Sequence, residues 1–202
     1  MTTSPPRRPR RSSAQVRALV LAAAVDVFAE KGLAGATTRE IAERAGVGEP
    51  TMFRIYGSKE RIFEAAVLAP FDVFIEAFTE RWLAAPLPGG EPADVLAQFV
   101  SELHRLVGEN RALFAAVAGT DQLGAGLQRA LGRLEQVGDA IAETHDLVFD
   151  VPVAVRIAMV AVTATTLVEG SVFPEEQRGQ RMLDELTRML VGATLHRPDR
   201  TL

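Results

Sequence analysis

The stretch TTREIAERAGVGEPTMFRIYGSK, residues 37–59, has the pattern of two short helices joined by a tight turn. Thr37, followed three residues later by Glu40, fits a capping box, in which each side chain satisfies a free amide of the first turn. Gly46 stands where a helix would end in a left-handed conformation, which costs glycine little. Pro50 suits the first turn of a second helix, because amides there have no partner within the helix. Such a helix-turn-helix is the geometry that places a second helix in the major groove of DNA.

Two further features support a DNA-binding role for this end of the chain. Apolar residues recur at helical spacing before the motif and predict a third helix ending near Gly32: Val16, Leu19, Val20, Ala23, Ala24, Val27 and Phe28. Residues 1–62 carry eleven Lys and Arg against six Asp and Glu, whereas the rest of the chain carries eleven against twenty. The charge that attracts phosphates therefore lies at one end of an otherwise acidic chain. The sequence predicts a helix-turn-helix DNA-binding domain over residues 13–58.

An arginine-rich arm, residues 1–12, precedes this domain and is expected to be disordered when free, because its prolines, serines and arginines cannot bury a core. Two interpretations of the arm stay open. One is a solvated tail that raises DNA affinity without sequence preference. The other is insertion into a minor groove of one of its arginines, Arg7, Arg8, Arg10 or Arg11.

The run from Arg17 to Phe63 resembles the DNA-binding domain of TetR-type (tetracycline-repressor-like) transcriptional regulators. The matching residues are Ala23, Phe28, Gly32, Thr37, Thr38, Ile41, Ala42, Ala45, Gly46, Val47, Thr51, Gly57, Ser58, Lys59, Glu60 and Phe63. The resemblance implies a ligand-responsive regulator, most often a repressor, that binds a palindromic operator as a homodimer and is released by a small molecule. It also implies base or phosphate contacts from Thr38, Gly48, Glu49, Pro50, Thr51, Arg54, Tyr56 and Lys59.

Three residues depart from the usual pattern of that family. Phe53 and Ile55 stand where tyrosine and histidine commonly hydrogen-bond phosphates, and neither side chain can do so. Tyr56 stands where phenylalanine is usual, so its hydroxyl must reach a partner at the domain edge or the DNA backbone. We expect Met52, Phe53 and Tyr56 to form the apolar side of the second helix, and Thr51 and Arg54 to point elsewhere. A helical partner-binding or scaffold protein of the same fold, without specific DNA binding, is the alternative.

The whole chain is predicted to be all-α, because no β alternation of useful length appears. A larger helical ligand-binding and dimerisation domain is expected over residues 59–197, followed by a tail, 198–202. Pro70 should kink or split its first long helix, since proline removes a helical amide. Pro174 is expected to start the last helix. A homodimer is expected to form through the apolar faces of the helices at 153–169 and 174–195.

Aromatic residues are concentrated in the first half of this second domain, where the resemblance implies a small-molecule pocket. Such pockets are mainly apolar with a few placed polar groups. An effector of apolar or aromatic character is therefore expected, although the same aromatic residues could simply form the core. The expected lining residues are Phe71, Phe74, Phe78, Trp82, Phe99, His104, Phe114 and Thr163.

Several function classes are disfavoured by what the sequence lacks. There is no cysteine and the three histidines are far apart, so we expect neither a metal site nor a cofactor. None of the HExxH, Walker A or GxSxG motifs occurs, and the chain is not expected to be an enzyme. The basic amino terminus has no apolar segment of the signal-peptide type, and the longest nearly apolar run, residues 157–168, is too short to span a bilayer. A cytoplasmic location is expected.

Overall fold

The computed structural model describes residues 12–84, 91–117 and 124–195. The predicted all-α class is confirmed, since every regular element within these ranges is helical. Most of the predicted arm and the whole predicted tail, 198–202, lie outside the described residues. The helices are α1 (Ser13–Gly35), α2 (Thr38–Ala45), α3 (Glu49–Tyr56), α4 (Lys59–Ala84), α5 (Pro92–Glu109), α6 (Arg111–Val117), α7 (Gly124–His145), α8 (Val151–Val172) and α9 (Gln180–Leu195), with a 3-10 turn at Glu175–Gln177.

The chain forms two compact units that divide between Ala66 and Val67, within α4. From the sequence we expected the domains to divide before residue 59, where α4 begins. The first unit includes the first turns of α4 because Ile62 and Phe63 are fully buried there. The ring of Phe63 meets that of Phe28, on α1, edge to face with their centroids 4.9 Å apart. Packing against α1 therefore assigns the start of α4 to the first unit.

Local chemistry sets the ends of the first helices. The capping box expected at the start of α2 is present: the Glu40 amide donates to the Thr37 hydroxyl, and the Thr37 amide donates to the Glu40 carboxylate, each at 3.2 Å. Gly46 ends α2 in the left-handed conformation, with a φ of 61°. Helix α1 was expected to end near Gly32 but extends to Gly35. Gly32 itself has a φ of 66° and interrupts the helix, and one further turn follows it.

The core of the second unit lies among α5, α7, α8, α9 and the carboxyl-terminal part of α4. Helix α5 packs against both α8 and α9, and α7 packs against α8. Ile75, Leu103 and Val162, from three different helices, have no exposed surface. Each side chain of this size contributes about 1.5–3 kcal/mol when it is fully buried. The second unit is therefore held together mainly by apolar contacts between its long helices.

The structure narrows one expectation about proline, since it excludes the split but does not test the kink, and it corrects another. Pro70 does not split a helix, because α4 is one helix with Pro70 inside it. Leu68 and Phe71, on either side of Pro70, are buried in the same core, and this packing supports the helix where an amide is missing. Pro174 does not start the last helix, since a 3-10 turn follows it and α9 begins at Gln180. Between the two helices, Arg178 donates to the carbonyl oxygen of Phe173 at 2.8 Å and stabilises this non-helical connection.

Helix α8 presents an apolar surface on its exposed side. The apolar run was expected to be too short to span a bilayer, but helix α8 has 22 residues and by length and composition alone could cross a membrane. Only 22% of its most apolar window is buried. Its opposite side carries the fully buried Val162 and Thr166. Five residues at helical spacing, here named the α8 stripe, are between 43% and 67% exposed: Val153, Ile157, Val160, Val168 and Val172.

Gly138 allows α7 to approach the start of α8 closely. A Cβ atom at Gly138 would lie 2.6 Å from Cγ1 of Val151, which is buried and stiff at its branched Cβ. We predict that Gly138→Ala lowers the free energy of unfolding by about 1–3 kcal/mol. Urea denaturation followed by circular dichroism measures this change.

Gly132→Ala, on the same helix, is the matched control for this prediction. Nothing lies within 4 Å of a Cβ atom at Gly132. Replacement there should raise stability by up to about 1 kcal/mol, because alanine is the better helix former. If the two variants were equally stable, a close approach of α7 and α8 at Gly138 would be contradicted.

Candidate nucleic-acid interface and apolar cavity

The turn between α2 and α3 is closed by backbone and side-chain hydrogen bonds. The Val47 amide donates to the carbonyl oxygen of Ala42 at 3.1 Å, which completes the end of α2. The Thr38 hydroxyl donates to the carboxylate of Glu49 at 2.6 Å and joins the starts of the two helices. Met52 is the fully buried residue of α3. The helix-turn-helix geometry is thus fixed by one buried side chain and by bonds at both helix starts.

The outward face of α3 consists of Pro50, Phe53, Arg54 and Gly57. These residues follow the spacing i, i+3, i+4, i+7, and all four are exposed. We expected Phe53 to lie on the apolar inner side with Met52, and this expectation is wrong: Phe53 is 40% exposed. In a helix of two turns only one narrow side meets the core, and Met52 occupies that side.

Four of the residues expected to contact DNA lie on this outward face or beside it. Pro50 and Arg54 are exposed there, Gly48 is exposed just before the helix, and Thr51 is half-buried. Arg54 is the only cation of α3 and makes no ion pair within the described part of the chain. These four positions are therefore free of competing side-chain bonds.

The other four expected contacts are engaged by groups of the protein itself. Thr38 and Glu49 bond to each other, as described above. The Tyr56 hydroxyl donates to the carbonyl oxygen of Arg17 at 3.3 Å, which supplies a partner at the domain edge. Partial burial raises the pKa of this hydroxyl, so it stays protonated and able to donate. The Lys59 ammonium donates to the carbonyl oxygens of Leu33 at 2.8 Å and Ala36 at 3.2 Å. DNA contacts from these four residues remain predictions.

Ion pairs between α1 and α2 account for several other charges of this unit. Arg44 donates to both carboxylate oxygens of Glu30, at 2.8 and 3.0 Å, and Lys31 pairs with Glu40. The hydrogen bond from Arg44 lowers the pKa of Glu30, and the bond from Lys31 lowers that of Glu40. The arm arginines Arg7, Arg8, Arg10 and Arg11 lie outside the described residues. Among the described cations of α2 and α3, Arg54 is thus the one placed to meet a ligand on the outward face.

An apolar cavity of about 310 Å³ lies inside the second unit. This volume is within the range of small-molecule sites in proteins. Among the described residues of its wall, Asp150 is the only ionisable one, and its carboxylate accepts from the Val153 amide at 3.0 Å as the amino-terminal cap of α8. The lining residues are Phe78, Pro92, Val95, Leu96, Phe99, Leu134, Val137, Gly138, Ile141, Leu147, Phe149, Asp150, Val153, Ala154, Val155, Ile157, Ala158, Leu190 and Ala193.

Of the eight expected pocket residues, the structure brings Phe78 and Phe99 to this cavity. Their ring centroids are 5.5 Å apart, with the rings edge to face. Phe71 and Phe74 are buried in the core instead, and Phe74 contacts both Phe78 and Phe99. The aromatic run of α4 is therefore mostly core, because residues one turn apart pack on α5 and only Phe78 reaches the cavity.

The remaining four expected pocket residues do not line this cavity either. Trp82 and Phe114 are partly buried and pack against the core. Thr163 is half-buried on α8. The Nδ1 atom of His104 lies 3.0 Å from the Thr166 hydroxyl oxygen, and that hydroxyl donates to the carbonyl oxygen of Val162 at 2.7 Å. His104 is thus the donor in a bond between α5 and α8 and is satisfied within the protein.

Sequence reasoning missed the walls that α7 and the segment before α8 contribute. Leu134, Val137 and Ile141 line the cavity from α7, and Leu147 and Phe149 line it from the connection to α8. The apolar spacing of α7 was readable, but spacing alone does not separate a residue facing a core from one facing a cavity. The close approach at Gly138 was not visible without coordinates.

Comparison with known proteins relates the first unit to bacterial regulators. Residues 20–66 match the family model described as bacterial regulatory proteins, tetR family. The HTH-type transcriptional repressor Rv3405c of Mycobacterium tuberculosis is 33% identical in an alignment that covers 42% of this chain and 53% of that protein. The chain thus spans about half the length of the curated relatives it matches.

Solved structures share the fold over nearly the whole chain. The transcriptional regulator FadR from Bacillus subtilis, solved in complex with stearoyl-CoA, is 19% identical, with a TM-score of 0.68 over 89% of this chain and 99% of that one. Salmonella enterica GusR is 20% identical, with a TM-score of 0.69 over 91% of this chain and 97% of that one. At this level of identity the likeness establishes a common fold.

Proposed function

We propose that this chain, a member of the tetR family of bacterial regulatory proteins by its residues 20–66, is a dimeric repressor released from its operator by an apolar or aromatic small molecule. The observation that carries the proposal is the outward face of α3, where Arg54 stands exposed without an ion-pair partner in the described chain. The match of residues 20–66 to that family supports a DNA-binding regulator. The repressor role follows the name of the mycobacterial relative. Its place of action is the cytoplasm, where bacterial DNA lies.

Base reading by α3 rests on the chemistry of its outward side chains. The guanidinium of Arg54 can donate to both O6 and N7 of a guanine in the major groove. The free amides at the start of α3, after Gly48, suit a phosphate oxygen, since a helix start attracts anions. The Glu49 carboxylate is already bonded to Thr38, which favours a structural role for it over base contact.

Selection of genomic DNA fragments by the purified chain, at low and at moderate salt, tests the proposed function. We predict recovery of one palindromic site whose binding persists at moderate salt. We also predict that Arg54→Ala weakens binding to this site by about 1–3 kcal/mol per half-site, because the contact with one base pair is lost in each. Arg61→Ala, which removes an exposed arginine from α4 of the same unit, is the matched control. Its effect should be the same for every DNA sequence. Uniform binding that disappears with salt would instead favour a helical partner-binding protein without an operator.

Dimer formation is inferred from the α8 stripe. Helix α8 packs on the second unit by its buried side and by the pair between Arg156 and Glu135, at 2.5 Å, and this packing leaves the stripe uncovered. Met189, on α9, adds a further large apolar side chain that is 65% exposed. Two copies of α8 and α9 form a four-helix bundle in which the same surface is used twice. A two-fold dimer suits a palindromic operator, whose half-sites lie about 34–36 Å apart.

A charge placed in the α8 stripe should separate the subunits. We predict that Val160→Glu converts the protein to monomers in analytical ultracentrifugation and lowers operator affinity, because burying the carboxylate in the interface is costly. Val73→Glu is the matched control, since Val73 is 69% exposed on α4 and Val160 is 67% exposed on α8. Dimers that persist in Val160→Glu at micromolar concentration would exclude the stripe as the interface.

The effector is inferred from the apolar cavity. Its walls offer aromatic and aliphatic carbons with one carboxylate, so a neutral apolar molecule is favoured over an anion. Stearoyl-CoA, bound in the FadR structure, carries a long hydrocarbon chain, which supports an apolar ligand group in this fold. Trp82, the only tryptophan, has its ring centroid 6.2 Å from that of Phe78, which lines the cavity. Its fluorescence therefore reports on occupation of the cavity.

Filling the cavity should remove the response to an effector without removing DNA binding. Dodecan-1-ol and naphthalene serve as neutral probes, one aliphatic and one aromatic. We predict that at least one of them changes Trp82 fluorescence and releases operator DNA, and that Ala154→Phe abolishes both responses because its ring occupies the cavity. Operator affinity without probe is the control and should be unchanged. Equal release from Ala154→Phe and the parent would mean that the probe acts elsewhere.

A further inference from the structure

We infer that Phe53 reads the 5-methyl group of a thymine in the operator, with Pro50 beside it on the same face of α3. This assignment rests on the proposed function and deepens it, since it names a base that the recognition helix selects. Phe53 was expected to be buried, and its outward position is what the structure adds.

The orientation of α3 places Phe53 on the exposed flank of its outward face, beside Arg54. Met52 is fully buried, and this anchors the rotation of the helix about its own axis. Phe53 then follows Pro50 by one turn and adjoins Arg54, and all three are exposed. Phe53 is 40% exposed, although a side chain of this size and apolarity is most often buried. Whatever meets Arg54 in a major groove therefore also meets Phe53.

The chemistry of the ring selects among the groups that a major groove offers. Phenylalanine has no hydrogen-bonding group, so contact with a phosphate, a carbonyl oxygen or an amino group would strip water from that group without replacing its bond. The thymine methyl is the apolar group among the base edges of the major groove, and phenylalanine is among the side chains that contact it. Pro50, also apolar, extends the same surface by one turn. We therefore expect each half-site to contain a thymine near the guanine that Arg54 contacts.

Replacement of thymine by uracil in the selected operator tests the assignment directly, because uracil lacks only the methyl group. We predict that uracil at one position of each half-site weakens binding of the parent chain by about fourfold per half-site, the effect of exposing one methyl group. The Phe53→Ala variant should bind the thymine and uracil operators equally. Phe53→Tyr keeps the ring and should keep the preference for thymine. Fluorescence anisotropy of labelled operator DNA gives each dissociation constant.

Leu19→Ala is the matched control, since Leu19 lies on α1 of the same unit and is 38% exposed, close to the value for Phe53. Its preference for thymine over uracil should equal that of the parent. Circular dichroism confirms that each variant is folded, as expected for replacements at exposed sites.

The possible outcomes separate the inference from the proposed function. If Phe53→Ala loses affinity equally on thymine and uracil operators and the parent does not distinguish them, the ring contacts the sugar-phosphate backbone and the assignment is overturned. If the parent distinguishes the operators and Phe53→Ala does so equally, another residue reads the methyl group, which also overturns it. If no sequence is selected at all, the proposed function itself fails, and the assignment fails with it.

Discussion

Burial of Met52 is the contact on which the DNA-facing surface depends. An isolated helix of eight residues is not stable in water, so α3 exists because tertiary packing holds it. Met52 is the residue of α3 that is fully removed from solvent, against a core that includes Ile41 and Ala45 of α2. One anchored side chain in a two-turn helix fixes which residues face outward. Pro50, Phe53 and Arg54 are exposed as a consequence of that anchor, and not because each was placed separately.

The second unit follows a different constraint, which is the need to fill space between long helices. The aromatic residues of α4 and α5 satisfy it where they meet: Phe74 contacts both Phe78 and Phe99, at 5.8 and 5.9 Å between centroids. Toward the start of α8 the filling is incomplete, and the cavity lies there. Gly138 keeps α7 close to Val151 on one side of the cavity, so the gap is bounded by a tight contact and is not simply loose packing.

The sequence allowed good prediction wherever the cause is local. The capping box of Thr37 and Glu40 acts over three residues, and the left-handed Gly46 acts over one, so both could be recognised before the structure. The partners of Tyr56 and Lys59 could not, because Arg17 and Leu33 are brought to them by the packing of other helices. A family resemblance indicates which residue type to expect at such positions. It does not reveal the hydrogen bonds within the protein that compete with DNA contacts.

The wrong predictions about which way the side chains of α3 and α4 face have a common origin. Phe53 was placed inside with Met52 and Tyr56 because all three side chains are apolar, and the aromatic run of α4 was placed in a pocket because the resemblance implies one in that region. Neither judgement considered the rotation of the helix, which decides which side chains face outward. The helical repeat of 3.6 residues turns neighbouring positions by about 100°, so Met52 and Phe53 cannot share one narrow side of α3. Once Met52 is buried, the position of Phe53 is settled by geometry.

Val153 and Ile157 connect the two proposed roles of the second unit, because they belong both to the α8 stripe and to the wall of the cavity. A second copy that covers the stripe would therefore also cover part of that wall. A molecule in the cavity can then change the operator affinity of a dimer only to the extent that it binds one arrangement of the subunits more tightly than another. A substitution at either residue would alter the interface and the ligand site together. Val160 lies in the stripe but not in the wall, and Ala154 lies in the wall but not in the stripe, so these two positions separate assembly from ligand binding.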